Sequence, residues 1–104
     1  MPGVDFNLLR REITMEQVLD QLGFQPVGRT DQQLYGPCPI HGSSPARSRP
    51  FSVNLAKERY CCHKCHSYGN QIELWAAVKD LPLYDAAVDL CHALGRKVPW
   101  LHRW

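Results

Sequence analysis

Apolar residues recur at helical spacing near the start of the chain. Thr14 is a good N-cap and Gln17 occupies the capping-box position after it, so a helix should begin there. Gly23 should end this helix. The apolar stripe between these two signals consists of Met15, Val18, Leu19 and Leu22. The segment from Asn7 to Ile13 is a candidate for an earlier short helix.

A second helical region follows in the last third of the chain. Asn70 can cap one helix, and Pro82 separates it from another that runs from about Tyr84 to Leu94 and ends at Gly95. The expected core positions of these two helices are Ile72, Leu74, Trp75 and Val78, then Ala87, Leu90, Cys91 and Leu94.

Between the helices the pattern changes to that of strands. A short strand is expected around Leu34 and Tyr35. The run Phe51–Leu55 alternates apolar and polar residues, as a half-buried strand does. Residues 56–58 are the expected turn and Arg59–Cys62 the returning strand. The pattern therefore predicts a small α+β protein with a short antiparallel sheet flanked by helices.

The size of the chain limits what can stabilise this fold. It has 104 residues, of which 44% are hydrophobic and 21% charged, as expected for one globular domain. A core this small often needs a metal or disulfides. No apolar run is long enough to span a bilayer, and Met1–Leu9 has no secretory pattern. We therefore expect a cytoplasmic location, where clustered cysteines are more often metal ligands than disulfides.

Two short motifs carry metal-ligating residues on either side of the predicted hairpin. Cys38 and His41 are separated by two residues, and so are Cys62 and Cys65. Two such turns supply three sulfurs and one nitrogen, which is a common set of tetrahedral ligands for structural zinc. The sequence therefore predicts one structural Zn²⁺ held by Cys38, His41, Cys62 and Cys65.

Neighbouring residues offer alternatives to these ligands. Cys61 should point away from Cys62 as the next residue of a strand and is expected to be a packing residue. His63 and His66 flank Cys65, but only His41 completes the first motif. Cys91 fits a buried position on a helix. A catalytic zinc would need an open coordination position, which four protein ligands leave no room for.

Positive charge is concentrated in the same part of the chain. From Gln32 to Ile72 there are five basic residues and one acidic residue, Glu58. Together with an aromatic residue for base stacking, they predict a nucleic-acid-binding surface made by Arg47, Arg49, Lys57, Arg59, Tyr60 and Lys64. A role in the core beneath the zinc is the alternative for Tyr60 and the preferred role for Phe51.

These motifs resemble a known family, the zinc-binding domain of bacterial replicative primases. The resemblance is carried by the runs Tyr35–His41, Phe51–Val53, Lys57–Cys65 and Gly69–Ile72. Lys64 and His66 stand beside the last cysteine where the family usually has glycine. Residues on either side of such a cysteine often need positive φ, which histidine tolerates better than most residues.

The resemblance implies a zinc ribbon that binds single-stranded DNA and assists primer initiation. It divides the chain into a domain over residues 1–95, with N-terminal helices (6–24), a ribbon (33–68) and C-terminal helices (70–95), and a basic and aromatic tail (96–104). The family's catalytic Toprim domain has an Asp-x-Asp motif, which this chain lacks. We therefore expect no catalytic residue in this chain. We also expect no membrane association and no small-molecule substrate.

Two other hypotheses name a protein partner. In one, the chain is an adaptor for a separately encoded replication or mobile-element protein and binds it through Trp100, Leu101 and Trp104. In the other, the chain is a split primase subunit that acts in trans with a catalytic chain.

Overall fold

Four helices are present in the part of the chain that the computed structural model describes, residues 3–40, 51–63 and 66–101. They are α1 (Phe6–Glu12), α2 (Met15–Leu22), α3 (Gln71–Lys79) and α4 (Leu83–Ala93). All four lie where the sequence predicts helices. No helix in these ranges is both long and apolar enough to cross a membrane.

Five short strands form one antiparallel sheet. The strands are β2 (Gly28–Thr30), β3 (Gln33–Gly36), β4 (Phe51–Asn54), β5 (Arg59–Cys62) and β6 (Tyr68–Asn70). They are adjacent in chain order, from β2 at one edge to β6 at the other. This arrangement confirms the predicted α+β class and the hairpin of β4 and β5. The edge strands β2 and β6 were not predicted, because each has only three residues and lacks an apolar alternation.

Side-chain caps begin the two helices that precede and follow the sheet in the chain, α2 and α3. Thr14 and Gln17 form a complete capping box on α2, and Gly23 ends that helix in the left-handed region with φ of 70°. Asn70 and Glu73 form a second capping box on α3. Gly69 makes this second box possible, because a Cβ there would come within 2.9 Å of the Glu73 side chain.

One face of the sheet packs on the helices. Leu34, Phe51, Val53 and Tyr60 point to this side and belong to a single cluster of buried apolar residues that includes Leu9, Ile72 and Leu90 from the helices. The one buried polar residue of the described ranges, Gln71, donates from Nε2 to the carbonyls of Arg10 (3.0 Å) and Ile13 (2.7 Å). This side chain ties the end of α1 to the start of α3.

The two ends of the described chain form a separate two-stranded ribbon. β1 (Gly3–Val4) pairs antiparallel with β7 (Trp100–Leu101). Arg96 also makes an ion pair with Glu12 at the end of α1. Arg96, Trp100 and Leu101, which the sequence assigns to the tail, therefore contact α1 and β1.

Candidate metal centre and nucleic-acid surface

The strand register brings the two metal-binding motifs to one end of the sheet. Gly36 on β3 is opposite Phe51 on β4, and Phe51 is opposite Cys62 on β5. Cys38 lies two residues beyond Gly36, so the first motif begins where β3 ends. The second motif begins at the last residue of β5. The turn between β4 and β5 lies at the opposite end of the sheet, so the two motifs begin at the same end.

The two described cysteines of these motifs are buried. Cys38 is 1% exposed and Cys62 is fully buried. Two contacts join the end of β5 to Ser67. The backbone N–H of Cys62 donates to the carbonyl of Ser67 (2.8 Å), and the hydroxyls of Tyr60 and Ser67 lie 2.8 Å apart. The strand register thus puts two buried thiols at the end of the sheet that the sequence assigns to zinc.

The other two expected ligands, His41 and Cys65, lie outside the described residues, as do Arg47, Arg49 and Lys64. At the end of the second motif, His66 adopts φ of 58°, in the left-handed region. This is the backbone conformation anticipated for a residue beside the last cysteine, at a position where the family usually has glycine.

The two cysteines outside the motifs differ in their burial. Cys61 is half-buried and lies on the face opposite that of Cys62, as strand alternation requires. Cys91 is fully buried in α4. Burial raises the pKa of the Cys91 thiol, and Arg96 opposes this increase. A raised pKa keeps the thiol neutral and fits a packing role.

Aromatic rings support the metal end of the sheet from within. Phe51 is fully buried and Tyr60 is 4% exposed. Their rings stack with centroids 5.8 Å apart, and Phe24 packs edge-on against Phe51 at 5.3 Å. Phe51 therefore has the core role preferred from the sequence. The burial of Tyr60 also favours its core alternative, because the ring has no face exposed to a base.

Tyr60→Phe tests the core role of Tyr60, because it keeps the ring and removes only the hydroxyl. Removing the hydrogen bond between the Tyr60 and Ser67 hydroxyls should lower the free energy of unfolding by about 0.5–1.5 kcal/mol. Denaturant unfolding measures this loss, and unchanged stability of Tyr60→Phe would contradict a core role for the hydroxyl.

The other face of the sheet is polar, and its residues form two rows across the strands. The register aligns Tyr35, Ser52, Cys61 and Tyr68 in the first row. It aligns Gln33, Asn54, Arg59 and Asn70 in the second row. We call these eight residues the polar face. Tyr68 is 73% exposed, more than any other large hydrophobic residue of the described ranges.

Lys57 and Arg59 are exposed at the turn end of the sheet. Arg59 lies at the end of β5 that is farther from the two metal-binding motifs. Arg59 is three positions from Cys62 along the strand, or about 10 Å at 3.3 Å per residue. Its charge therefore belongs to the opposite end of the sheet.

Sequence reasoning missed the two tyrosines of the first row. Tyr35 is half-buried, and its hydroxyl donates to Oε1 of Gln33. Alternation around Leu34 could have assigned Tyr35 to the polar face. Tyr68 gave no comparable signal, because β6 was not recognised as a strand.

Comparison with known proteins agrees with this architecture. The model of the CHC2 zinc finger matches residues 3–103, nearly the whole chain. The chain belongs to the CHC2 zinc finger family. Zinc is therefore the metal that the family implies.

The similar proteins are primases. The chain is 28% identical over 95 residues to a DNA primase of Aquifex aeolicus (strain VF5), covering 90% of this chain and 18% of that protein. The crystal structure of the Aquifex aeolicus primase zinc-binding and RNA polymerase domains matches with a TM-score of 0.71 and 24% identity, over 91% of this chain and 22% of that one. This CHC2 chain thus spans about a fifth of the primases it resembles, and the structural match shows a shared fold.

Proposed function

We propose that this CHC2 domain holds one structural Zn²⁺ through Cys38, His41, Cys62 and Cys65 and binds single-stranded DNA on the polar face of its sheet. Support for the metal comes from the two buried thiols at one end of the sheet. A zinc bound there supplies structure, because four protein ligands complete its coordination.

The observation that carries the nucleic-acid proposal is the row that joins Tyr35 to Tyr68 across four strands. Bases of a single strand can stack on the exposed ring of Tyr68 and on the open side of the half-buried Tyr35, whereas a duplex keeps its base faces hidden. Arg59 in the next row supplies a cation for the backbone. Arg47, Arg49 and Lys64 remain proposed contributors of charge from outside the described residues.

A role in primer initiation follows from the likeness to primases. The domain would hold the template while a catalytic chain or domain joins nucleotides. The primases it resembles are much longer, so primer synthesis as a whole belongs to more protein than these 104 residues.

The isolated chain is therefore expected to make no primer. It has no Asp-x-Asp pair for Mg²⁺, and its proposed zinc site leaves no open coordination position. A primer-synthesis assay with Mg²⁺, a single-stranded template and labelled nucleotides tests this. Synthesis that persists after repurification would contradict the proposal, whereas synthesis only after addition of a Toprim protein would favour the split-subunit hypothesis.

An adaptor role is the second candidate. Trp100 and Leu101 on β7 are 38% and 40% exposed, and Leu83 on α4 is 43% exposed. Exposed apolar side chains of this kind fit a protein partner. Salt-insensitive binding of a replication protein that Trp100→Ala abolishes would favour this function over DNA binding.

A further inference from the structure

A basic cavity lies at the turn end of the sheet, away from the metal motifs. Its volume is about 620 Å³, within the usual range for ligand sites of about 300–1,000 Å³. One wall is α1, which contributes Arg10 and Arg11. The other is the turn between β4 and β5, which contributes Lys57 and Arg59. Four cationic side chains from two distant parts of the sequence thus line one space.

These cations are available to a ligand. All four residues are exposed, and none of the carboxylates in the described ranges forms an ion pair with them. The acidic residue of the cavity, Glu58, is already engaged: its carboxylate accepts a hydrogen bond from the backbone N–H of Met15 at the start of α2. The helix N-terminus offsets part of this negative charge. The cavity therefore keeps an excess of positive charge.

The walls of the cavity are held in place before any ligand binds. Gln71 fixes the end of α1 through the carbonyl of Arg10. The turn is held by the contact of Glu58 with α2 and by a hydrogen bond from the Lys57 N–H to Oδ1 of Asn54 (3.0 Å). A site whose backbone is already ordered loses less entropy on binding.

We propose that Arg10, Arg11, Lys57 and Arg59 form a binding site for phosphate groups at the turn end of the sheet. Guanidinium groups donate paired hydrogen bonds to phosphate oxygens, and three of the four cations are arginines. The phosphates can belong to a DNA strand that continues past Arg59 from the polar face or to a free polyphosphate such as the tail of a nucleotide. The cavity shares Arg59 with the polar face but adds Arg10, Arg11 and Lys57, which are not part of that face. If the ligand is a DNA strand, the inference rests on the proposed function.

The test compares two variants with the same loss of charge. Arg10→Ala with Arg11→Ala removes the α1 wall, and Arg29→Ala with Lys97→Ala removes two exposed cations that do not line the cavity. Both zinc-loaded proteins are titrated with inorganic triphosphate by calorimetry and with oligothymidylate across a salt series. Lys57→Ala reaches the same cavity from the turn and serves if the α1 variant fails to fold.

The α1 variant should bind one or both probes about tenfold or more weakly than wild type, while the control stays within about twofold. For the oligonucleotide, the log–log salt slope should flatten by about 0.7 for each phosphate that the variant no longer neutralises. A loss confined to triphosphate identifies a free polyphosphate as the ligand, and a loss confined to oligothymidylate identifies the strand.

Equal losses in the α1 variant and the control would overturn the proposal, because they would show an effect of net charge alone. The proposal would also be overturned if the wild type bound both probes and neither the α1 variant nor Lys57→Ala weakened that binding. It would be overturned as well if the wild type bound neither probe. If the wild type binds oligothymidylate, the polar face can still be the DNA site, since its tyrosines are tested by separate variants. If the wild type binds neither probe, the proposed DNA-binding function fails as well.

Discussion

Replacing Cys62 with serine is expected to release the zinc and unfold the domain. Cys62 is fully buried at the end of β5, so serine would both break the coordination and leave a hydroxyl in an apolar place. Structural zinc contributes on the order of 10 kcal/mol in small peptides, as much as the whole stability of a typical domain. Elemental analysis and circular dichroism should show lost metal and lost secondary structure.

Cys61→Ser is the matched control. The neighbouring thiol lies half-buried on the polar face, so its replacement should leave the zinc content at wild-type level. Full zinc occupancy with a native spectrum in Cys62→Ser would refute the ligand assignment. Loss of zinc in Cys61→Ser instead would show that the wrong member of the pair was chosen.

The second large effect is expected at the tyrosines of the polar face. Each base stacked on an aromatic ring contributes about 1–3 kcal/mol, so Tyr68→Ala should weaken oligothymidylate binding by about 5- to 150-fold. Tyr35→Ala should have an effect of the same order. Because Tyr68 is 73% exposed, its replacement should leave zinc content and thermal unfolding nearly unchanged. Fluorescence anisotropy with a labelled oligonucleotide measures the affinity.

Two further variants show whether stacking is the cause. Tyr68→Phe keeps the ring and should bind like wild type. Trp100→Ala removes a large aromatic from β7, on the ribbon formed by the chain ends, and should also leave DNA binding unchanged. Weak binding by Tyr68→Phe would indicate that the hydroxyl matters more than the ring, and weak binding by Trp100→Ala would move the site to the ribbon.

Local signals in the sequence were enough to predict the helices and the central hairpin. Thr14 with Gln17, and Asn70 before α3, are caps whose partners lie three residues away, so they can be recognised in sequence. The pairing of β1 with β7 could not be predicted in this way. It joins residues almost a whole chain apart, and each strand has only two residues.

The candidate site was predictable to a similar extent. The spacing of Cys38 and Cys62 with their partners is enough to reveal the metal motifs in the sequence, because ligand spacing is itself a local pattern. The alignment of Arg59 with Asn54 and Gln33 depends on the register between strands, which no local pattern fixes. The proximity of Arg10 to Lys57 depends on how α1 packs against the sheet, and no local pattern encodes that proximity.

A titration followed by nuclear magnetic resonance tests the central proposal most directly. Oligothymidylate is added to the zinc-loaded, ¹⁵N-labelled chain, and backbone amide shifts are mapped onto the structure. The account predicts the largest changes at Tyr35, Ser52, Cys61 and Tyr68, with α4 nearly unaffected. Changes confined to α4 and the β1–β7 ribbon, or no changes at saturating oligonucleotide, would contradict single-stranded DNA binding on the polar face.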